Sequence, residues 1–568
     1  MLPCRYFALV SVVSAGLGPA LSFARSNANQ LISSELAQLV GNLIQEHRVP
    51  GLVLGIVSGS QSTIRAWGNR TEEGDPMAAD TIFNLASCSK AFVTTSLGIL
   101  MDDYANGRNV TPLPLNVARL GWDTKLTDLL PDEWMLMDAW ASEKANLRDI
   151  LSHTSGLPRH DFSYHRTDTT TDVLLRQRFL RPAFELRERF SYTNQMYAVG
   201  AHVVSKYTGS FVDYATDRIF KALNMTQTTY FPDEALGSGK AADLFASFGR
   251  RVPWWFSDAE TELDAGPGGV NSNAEDLVKW VQMLLGHGED AQANVSIIPT
   301  PILDEITTAN AIVFGNTTVS SPSSIEGYGL GWFRYTVAGI DIIDHDGSIP
   351  GISTYIGLVP SVNMGIIVLI NADGQTDVYT QIKTAILQEI AQSNVTSQQP
   401  LISTRSSLEP RTVPLEVDRD SKSSIDYTGS YHDDGYGNFT LCGPLSSVDQ
   451  CRQVLQDFAI VDQNPLPEGS LVAAWPTTLS THMRLVPSNA SAGAFDLIPT
   501  NLFTSGYGRN STPFEFPTGQ FSATFVVADG VVVGLGLTGE VGEETDRQRR
   551  GGSVEETSDV FFRHSSSS

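Results

Sequence analysis

Ser87 and Lys90 stand three residues apart in Asn84-Leu85-Ala86-Ser87-Cys88-Ser89-Lys90-Ala91-Phe92, and no other lysine of the chain has a serine three places before it. The run Ala91 to Met101 behind them is apolar enough for a buried helix. A helix sets positions i and i+3 on one face, so the hydroxyl and the amine would be neighbours. At the first turn they would lie among unpaired N–H groups, at the positive end of the helix dipole. A serine hydroxyl needs a base to become a nucleophile, and an amine in a tight apolar setting can give up its proton and serve as that base. The alternative is a plain helix start, in which Ser87 caps and Lys90 is solvated.

Two further groups could join this chemistry. In Phe190-Ser191-Tyr192-Thr193-Asn194, Tyr192 and Asn194 are two apart and would face the same side of an extended segment. A cationic lysine nearby would favour ionisation of the Tyr192 phenol, which could then act as a base. The Asn194 amide could hold both a catalytic amine and a substrate carbonyl. His345-Asp346-Gly347-Ser348 closes an expected strand. Gly347 there would let a ligand backbone come close, and N–H groups at such an edge could receive an oxyanion. Taken singly, a polar loop and a turn explain these two segments as well.

The elements that must position these residues are legible in outline. Asn29 to His47 has apolar residues three and four apart and reads as a helix. Leu52–Val57 and Thr63–Trp67 read as strands around Ser58-Gly59-Ser60-Gln61. From Leu129 to about Leu330 the pattern is mainly helices and long loops. Three β runs follow, at Ile340–His345, Ser353–Val359 and Met364–Asn371, and then a helix from about Asp377 to Gln392. Neither end has enough strands to close a core alone. The expected fold is therefore α/β in content, an α+β sandwich: one antiparallel sheet built from both ends, flanked by helices, with an inserted helical region. Ser397 to Pro414 is polar and Pro-containing and reads as a linker. Beyond it, short alternating runs such as Phe521–Ala528 and Val531–Leu537 predict a small β-barrel-like domain. Glu540 to Glu556 reads as a mobile polar loop. The expected division is a signal peptide over 1–24, a catalytic domain over 25–396, a linker over 397–414 and a β domain over 415–568.

Length and charge agree with this division. A chain of 568 residues, 41% hydrophobic and 18% charged, suits a globular protein of two or three domains. A net charge of −25 argues against nucleic acid and anionic membranes as partners. Arg5, the apolar run Phe7–Leu21 and the small-x-small triplet Ser22-Phe23-Ala24 read as a cleaved secretory signal, with an uncleaved anchor as the alternative. No later stretch is long enough to span a membrane, so stable insertion is not expected. Sequons at Asn69, Asn109, Asn224, Asn294, Asn316, Asn394, Asn438, Asn489 and Asn510 suit an exported glycoprotein. In an oxidising compartment Cys442 and Cys451, close together in a β-rich stretch, would pair, leaving Cys88 as a buried packing residue.

Together, Ser-x-x-Lys, Tyr-x-Asn and His-x-Gly in this order resemble the serine β-lactamase and penicillin-binding-protein superfamily. The likeness is to its class C, D,D-carboxypeptidase and esterase branch, which includes S12-type peptidases. Leu147-Arg148-Asp149-Ile150-Leu151-Ser152-His153-Thr154-Ser155-Gly156-Leu157-Pro158 is similar to a specific segment of that family. So are Gly268-Gly269-Val270 and Tyr328-Gly329-Leu330-Gly331-Trp332, and the resemblance covers roughly residues 30 to 395. More loosely, Tyr427-Thr428-Gly429-Ser430-Tyr431 with Tyr436-Gly437 resembles the lipocalin-like domain that often follows.

The resemblance implies an acyl-enzyme on Ser87, with Lys90 and Tyr192 as the base system. It implies that Asn194 orients Lys90 and the substrate, and that the backbone N–H groups of Ser87 and Ser348 form an oxyanion hole. No metal or cofactor is implied, and the spacing of His153, His160 and His165 fits no zinc pattern. His345 stands where class C lactamases place a lysine that supports carboxylate recognition. Glu188-Arg189-Phe190 replaces the usual Pro-Gly approach to the tyrosine loop. The expected function is a secreted serine hydrolase or acyltransferase acting on a small-molecule ester, amide or peptide. The rival readings are a β-lactamase or D-amino-acid peptidase, and a catalytically silent binding protein of the same fold. An α/β-hydrolase is excluded, because no Gly-x-Ser-x-Gly elbow is present.

Overall fold

A computed structural model describes residues 31–109, 111–290, 295–316, 323–394, 425–488, 493–542 and 544–565. The expected signal peptide, the linker over 397–414 and the sequons Asn294 and Asn489 lie outside the described residues. The main sheet comprises β1 (Gly51–Ser58), β2 (Gln61–Gly68), β3 (Ala311–Phe314), β4 (Glu326–Tyr328), β5 (Phe333–Val337), β6 (Ile340–Ile349), β7 (Ile352–Val359) and β8 (Met364–Ile370). Its order is β2-β1-β8-β7-β6-β5-β4-β3, antiparallel throughout. The N-terminal hairpin thus joins the C-terminal strands through β1 and β8, with Leu52 opposite Ile370.

Strands β1, β7 and β8 are apolar at nearly every position because both faces are covered. Six helices frame the argument: α1 (Ser34–Glu46), α2 (Lys90–Ala105), α3 (Gln195–Thr208), α4 (Ala274–Leu285), α5 (Thr376–Asn394) and α6 (Asp449–Asp462). Leu52, Leu54 and Ile56 of β1 pack with Ile366 and Val368 of β8 against α1 and α5. The alternate residues Val53, Val57, Ile367 and Leu369 face the opposite way, toward α2 and α4. Helix α2 is buried almost all round, as its apolar run demands. The helical insertion is shorter than its sequence suggests. The polar-flanked segments Ala311–Phe314 and Glu326–Tyr328, read as part of the helical stretch, are the last two strands at one end of the main sheet. They are too short to show a period in sequence.

The C-terminal region forms a second sheet from β9 (Gly429–Asp433), β10 (Gly437–Leu441), β11 (Leu471–Ala474), β12 (His482–Pro487), β13 (Ala494–Phe503), β14 (Phe514–Pro517), β15 (Phe521–Ala528), β16 (Val531–Thr538) and β17 (Val560–Ser565). Its order is β10-β9-β17-β16-β15-β13-β12-β11, with β14 beside β13. Cys442 and Val472 exchange two backbone hydrogen bonds at 2.8 and 2.9 Å, which brings the two ends together as a nearly closed barrel. A Cys442–Cys451 disulfide ties that seam to α6.

The barrel is docked rather than tethered. Phe162 stacks on Trp475 at 5.3 Å and meets Phe521 edge-on at 5.3 Å. Within the stretch Glu540–Glu556, read as a mobile loop, Glu540, Asp546 and Arg547 bond across this junction. Glu540 and Thr545 are buried, Asp546–Arg550 is helical, and Arg547 donates to the Pro182 carbonyl. Polarity misled the reading, because Glu540 and Arg547 find partners across the junction, Phe162 N and the Pro182 carbonyl, rather than in water.

Candidate active site

Ser87 sits in a tight turn, Ala86–Ser89, that feeds α2. Ala86 takes a left-handed φ of 47°, a costly conformation for a residue with a Cβ, and its N–H donates to Asn84 Oδ1 at 2.7 Å. Asn84 is itself fixed by Asn271 at 3.1 Å. Ser89 Oγ accepts from Val270 N at 3.0 Å, and the buried Cys88 thiol donates to the His345 carbonyl at 3.2 Å. Burial pushes the Cys88 thiol up to about 12, so it packs and does not react.

Lys90 is fully buried rather than solvated. Its Nζ donates to Asn194 Oδ1 and to the Pro267 carbonyl, each at 2.8 Å, and lies 3.2 Å from Ser87 Oγ. Burial and then the Arg159 charge hold its pKa well below the usual lysine value, against an opposing pull from Asp161. Tyr192 OH donates to Ser87 Oγ at 2.9 Å, and the Arg159 guanidinium lies 4.5 Å over its ring. Burial raises the Tyr192 pKa despite Arg159, which favours the protonated phenol over the ionised one. Asn194 Oδ1 is thus turned to Lys90. Its Nδ2, expected to be open to substrate, is occupied by Asp161 at 3.1 and 3.2 Å.

The third segment lies on β6. His345 is 2% exposed, with Nδ1 2.6 Å from the Asp346 carbonyl and Nε2 3.1 Å from Tyr328 OH. A carbonyl only accepts, so Nδ1 carries the proton and Nε2 accepts from the tyrosine. Burial, then the Lys90 charge, lowers the His345 pKa to about 3, so the ring is neutral. Asp346 lines the cleft and its Oδ2 accepts from Tyr379 OH at 2.9 Å. Gly347 does admit a close approach, but from inside the protein. A Cβ there would lie 2.3 Å from the Leu85 carbonyl and 2.4 Å from Thr354 Oγ1. Ser348 is exposed and borders the cleft with Ser87.

Ser87, Tyr192, Asn194, His345, Asp346 and Ser348 line one cleft of about 740 Å³. Sequence reasoning missed Arg159 and Asp161, which follow directly on the Ser155–Pro158 segment and pair at 3.3 Å. It also missed Asp264, and it missed Leu479, Phe516 and Thr518, which the barrel contributes to the cleft wall. A charged pair beside a Gly-Leu-Pro run was the available signal for Arg159 and Asp161. Nothing local marks the barrel residues. A larger hollow of about 1200 Å³ lies at the barrel, bordered by Tyr427, Leu445 and Phe495, away from Ser87 and Lys90.

The histidines of the first segment have structural partners. His153 Nδ1 accepts from Thr193 N at 3.1 Å, His160 bonds Tyr436 OH at 2.7 Å, and His165 bonds the Pro476 carbonyl at 2.6 Å. Among the described residues no group of three or more His, Cys, Asp or Glu is placed to hold a metal ion. The sequons Asn69, Asn224, Asn316, Asn438 and Asn510 are exposed, Asn394 ends α5, and Asn109 is half-buried with Nδ2 donating to the Tyr207 carbonyl at 3.1 Å.

A family model described as Beta-lactamase matches residues 36–389. An unguisins hydrolase from Aspergillus campestris is 25% identical over 349 residues, which cover 60% of this chain and 62% of that protein. The chain therefore matches less than two thirds of that relative's length. Penicillin-binding protein 4 of Amycolatopsis lactamdurans is 27% identical over 360 residues, 61% of this chain and 87% of that protein. A solved penicillin-binding protein homologue from Pyrococcus abyssi superposes with a TM-score of 0.50 at 18% identity. The superposition covers 88% of this chain and 97% of that one, so the likeness of fold extends into the barrel.

Proposed function

The chain belongs to the beta-lactamase family, and on that premise we propose that it is a serine hydrolase or acyltransferase that cleaves an ester or amide through a Ser87 acyl-enzyme. The observation that carries this reading is the pair of contacts on Ser87 Oγ, from a buried Lys90 at 3.2 Å and from Tyr192 OH at 2.9 Å. The two carbonyl oxygens on Lys90 can only accept, so they use two N–H bonds of a neutral amine. The lone pair then faces Ser87 and takes its proton as Oγ attacks the substrate carbonyl carbon. The bond to the leaving group breaks, and the protonated Tyr192 is placed to relay a proton to it. The N–H groups of Ser87 and Ser348 are the proposed oxyanion donors. Intact Ser87, Lys90 and Tyr192 argue against a silent binding protein.

The same geometry supports esters and neutral amides over β-lactams. A β-lactam carboxylate needs a lasting positive partner, and neutral His345 is none. Arg159 is already paired with Asp161. The name of the Aspergillus relative makes unguisins the first natural substrates to try. The disulfide and the exposed sequons support export, and the barrel supports the lipocalin-like reading of residues 415–568.

The test compares kcat/KM for a p-nitrophenyl ester and a chromogenic cephalosporin on the wild type and on Ser87→Ala. The ester should be the better substrate. Ser87→Ala should lose on the order of 10⁴-fold or more, and intact-mass analysis should show acylation at Ser87 in the wild type alone. Activity within about tenfold of wild type in Ser87→Ala would end the acyl-enzyme reading. A higher kcat/KM for the cephalosporin would restore β-lactam hydrolysis.

A further inference from the structure

Asp264 lines the cleft that holds Ser87 and is 4% exposed, yet its Oδ2 is buried without a hydrogen-bond partner. Other aspartates of the cleft are bonded. Asp161 binds Arg159 and Asn194, Asp346 binds Tyr379, and Asp373 accepts from the amides of Ser247 and Gly351 at 2.8 and 2.9 Å. A buried carboxyl left unpaired is destabilising, and its place in a cleft points to a partner that arrives with the substrate.

The carboxyl is held in fixed relation to the base. Asp264 ends the short helix Thr261–Asp264, and its carbonyl accepts from Gly268 N at 2.9 Å. That same turn sets the Pro267 carbonyl on Lys90 Nζ. Neighbouring groups leave the Asp264 side chain unanswered. Glu260 pairs with Arg166 at 2.9 Å, and Tyr164 OH turns to Asp161 at 3.4 Å. The cleft's positive charge, Arg159, is opposed by Asp161, while Asp346 adds negative charge. The local field therefore favours a cation over an anion.

Resting on the acyl-enzyme reading above, we propose that Asp264 anchors an ammonium group of the substrate, so that the preferred substrates are amides or esters carrying a free primary amine. Burial, reinforced by Glu260 and opposed by Arg166, raises the Asp264 pKa well above the usual carboxylate value, which favours a proton on the empty site. An incoming ammonium forms the ion pair with the carboxylate and sends that proton to solvent.

The probes are benzylammonium chloride and benzyl alcohol, which share a ring and differ in charge. As competitors of p-nitrophenyl butyrate at about pH 7, the ammonium should bind wild type about tenfold or more tighter than the alcohol. In Asp264→Asn that ratio should fall to about one; being a ratio within one protein, it does not depend on how active the variant is. Calorimetry of wild type in two buffers of different ionisation enthalpy should show proton release with benzylammonium and none with the alcohol. Equal binding of the two probes to wild type, an unchanged ratio in Asp264→Asn, or no proton release would each overturn the anchor. Absence of ester hydrolysis would sink the acyl-enzyme reading instead. The calorimetric arm needs no turnover and reads the anchor either way, including where Asp264→Asn does not fold.

Discussion

Lys90 is pulled two ways. Its acceptors, Asn194 Oδ1 and the Pro267 carbonyl, welcome its protons, while burial and Arg159 oppose its charge. A base so balanced works only with its partner in place. Lys90→Ala and Tyr192→Phe should each lose on the order of 10²-fold or more in kcat/KM, and the double variant should be little worse than either. Losses that multiply in full would mean two independent groups. Arg159 gives a second handle. Activity needs the amine, so it rises as pH climbs through the Lys90 pKa and is lost as pH falls through it. Arg159→Met removes a repulsion that lowers this pKa, so the acid limb of the kcat/KM profile should move to higher pH. An unmoved or lowered limb in Arg159→Met would show that Arg159 does not tune Lys90. Ser87, Lys90, Tyr192 and Asn194 were legible in sequence because each pair lies within one local element. Arg159, Asp161 and Asp264 were not, since only tertiary packing brings them to the Ser87 cleft.

At the scale of elements, the nucleophile turn and β6 are locked together. The left-handed Ala86 places Ser87, and Gly347 lets β6 press against Leu85 and Ala86. A Cβ at Gly347 meets backbone at 2.3 Å, so β6 or the turn must move. Gly347→Ala should cost about 1–3 kcal/mol of stability and more than about tenfold in kcat/KM, read by thermal melts and ester kinetics. Wild-type kinetics in Gly347→Ala would mean that the spacing between these elements is not what aligns Ser87. Strands β1, β6, β7 and β8 were readable from their long apolar or alternating runs. Strands β3 and β4 were not, because a few residues carry no period and the pairing of β3 with β4 and of β4 with β5 is a tertiary fact. The glycine of the His-x-Gly segment was noticed for a ligand, whereas its neighbour is the chain itself.

On the scale of the whole molecule, the barrel grips the segment that arms the site. Within His160–Phe162, His160 bonds Tyr436, Asp161 bonds Asn194, and Phe162 N donates to Glu540 Oε1 at 3.3 Å. Tyr436 OH also meets Glu540 Oε2. The barrel thus steadies the partner of Asn194 from one side while Leu479 and Phe516 wall the cleft from another. None of this was visible in a polar run that suggested a loose loop. Glu540 makes the junction sensitive to pH. Burial lifts its pKa from 4.5 to about 8, outweighing the two donors that favour its carboxylate. Between those values the folded chain keeps a proton that the unfolded chain has shed, so this group's contribution to stability falls as pH rises across the window. The full loss is on the order of a few kcal/mol. Glu540→Gln stays neutral throughout: its Oε1 can accept from Phe162 N, and its Nε2 can donate to Tyr436 while Tyr436 donates to His160. The variant should therefore melt higher than wild type at about pH 8, with the advantage shrinking toward about pH 5. Parallel melting curves for the two proteins across that range would show that Glu540 is ionised in the folded chain and that the junction carries no such proton.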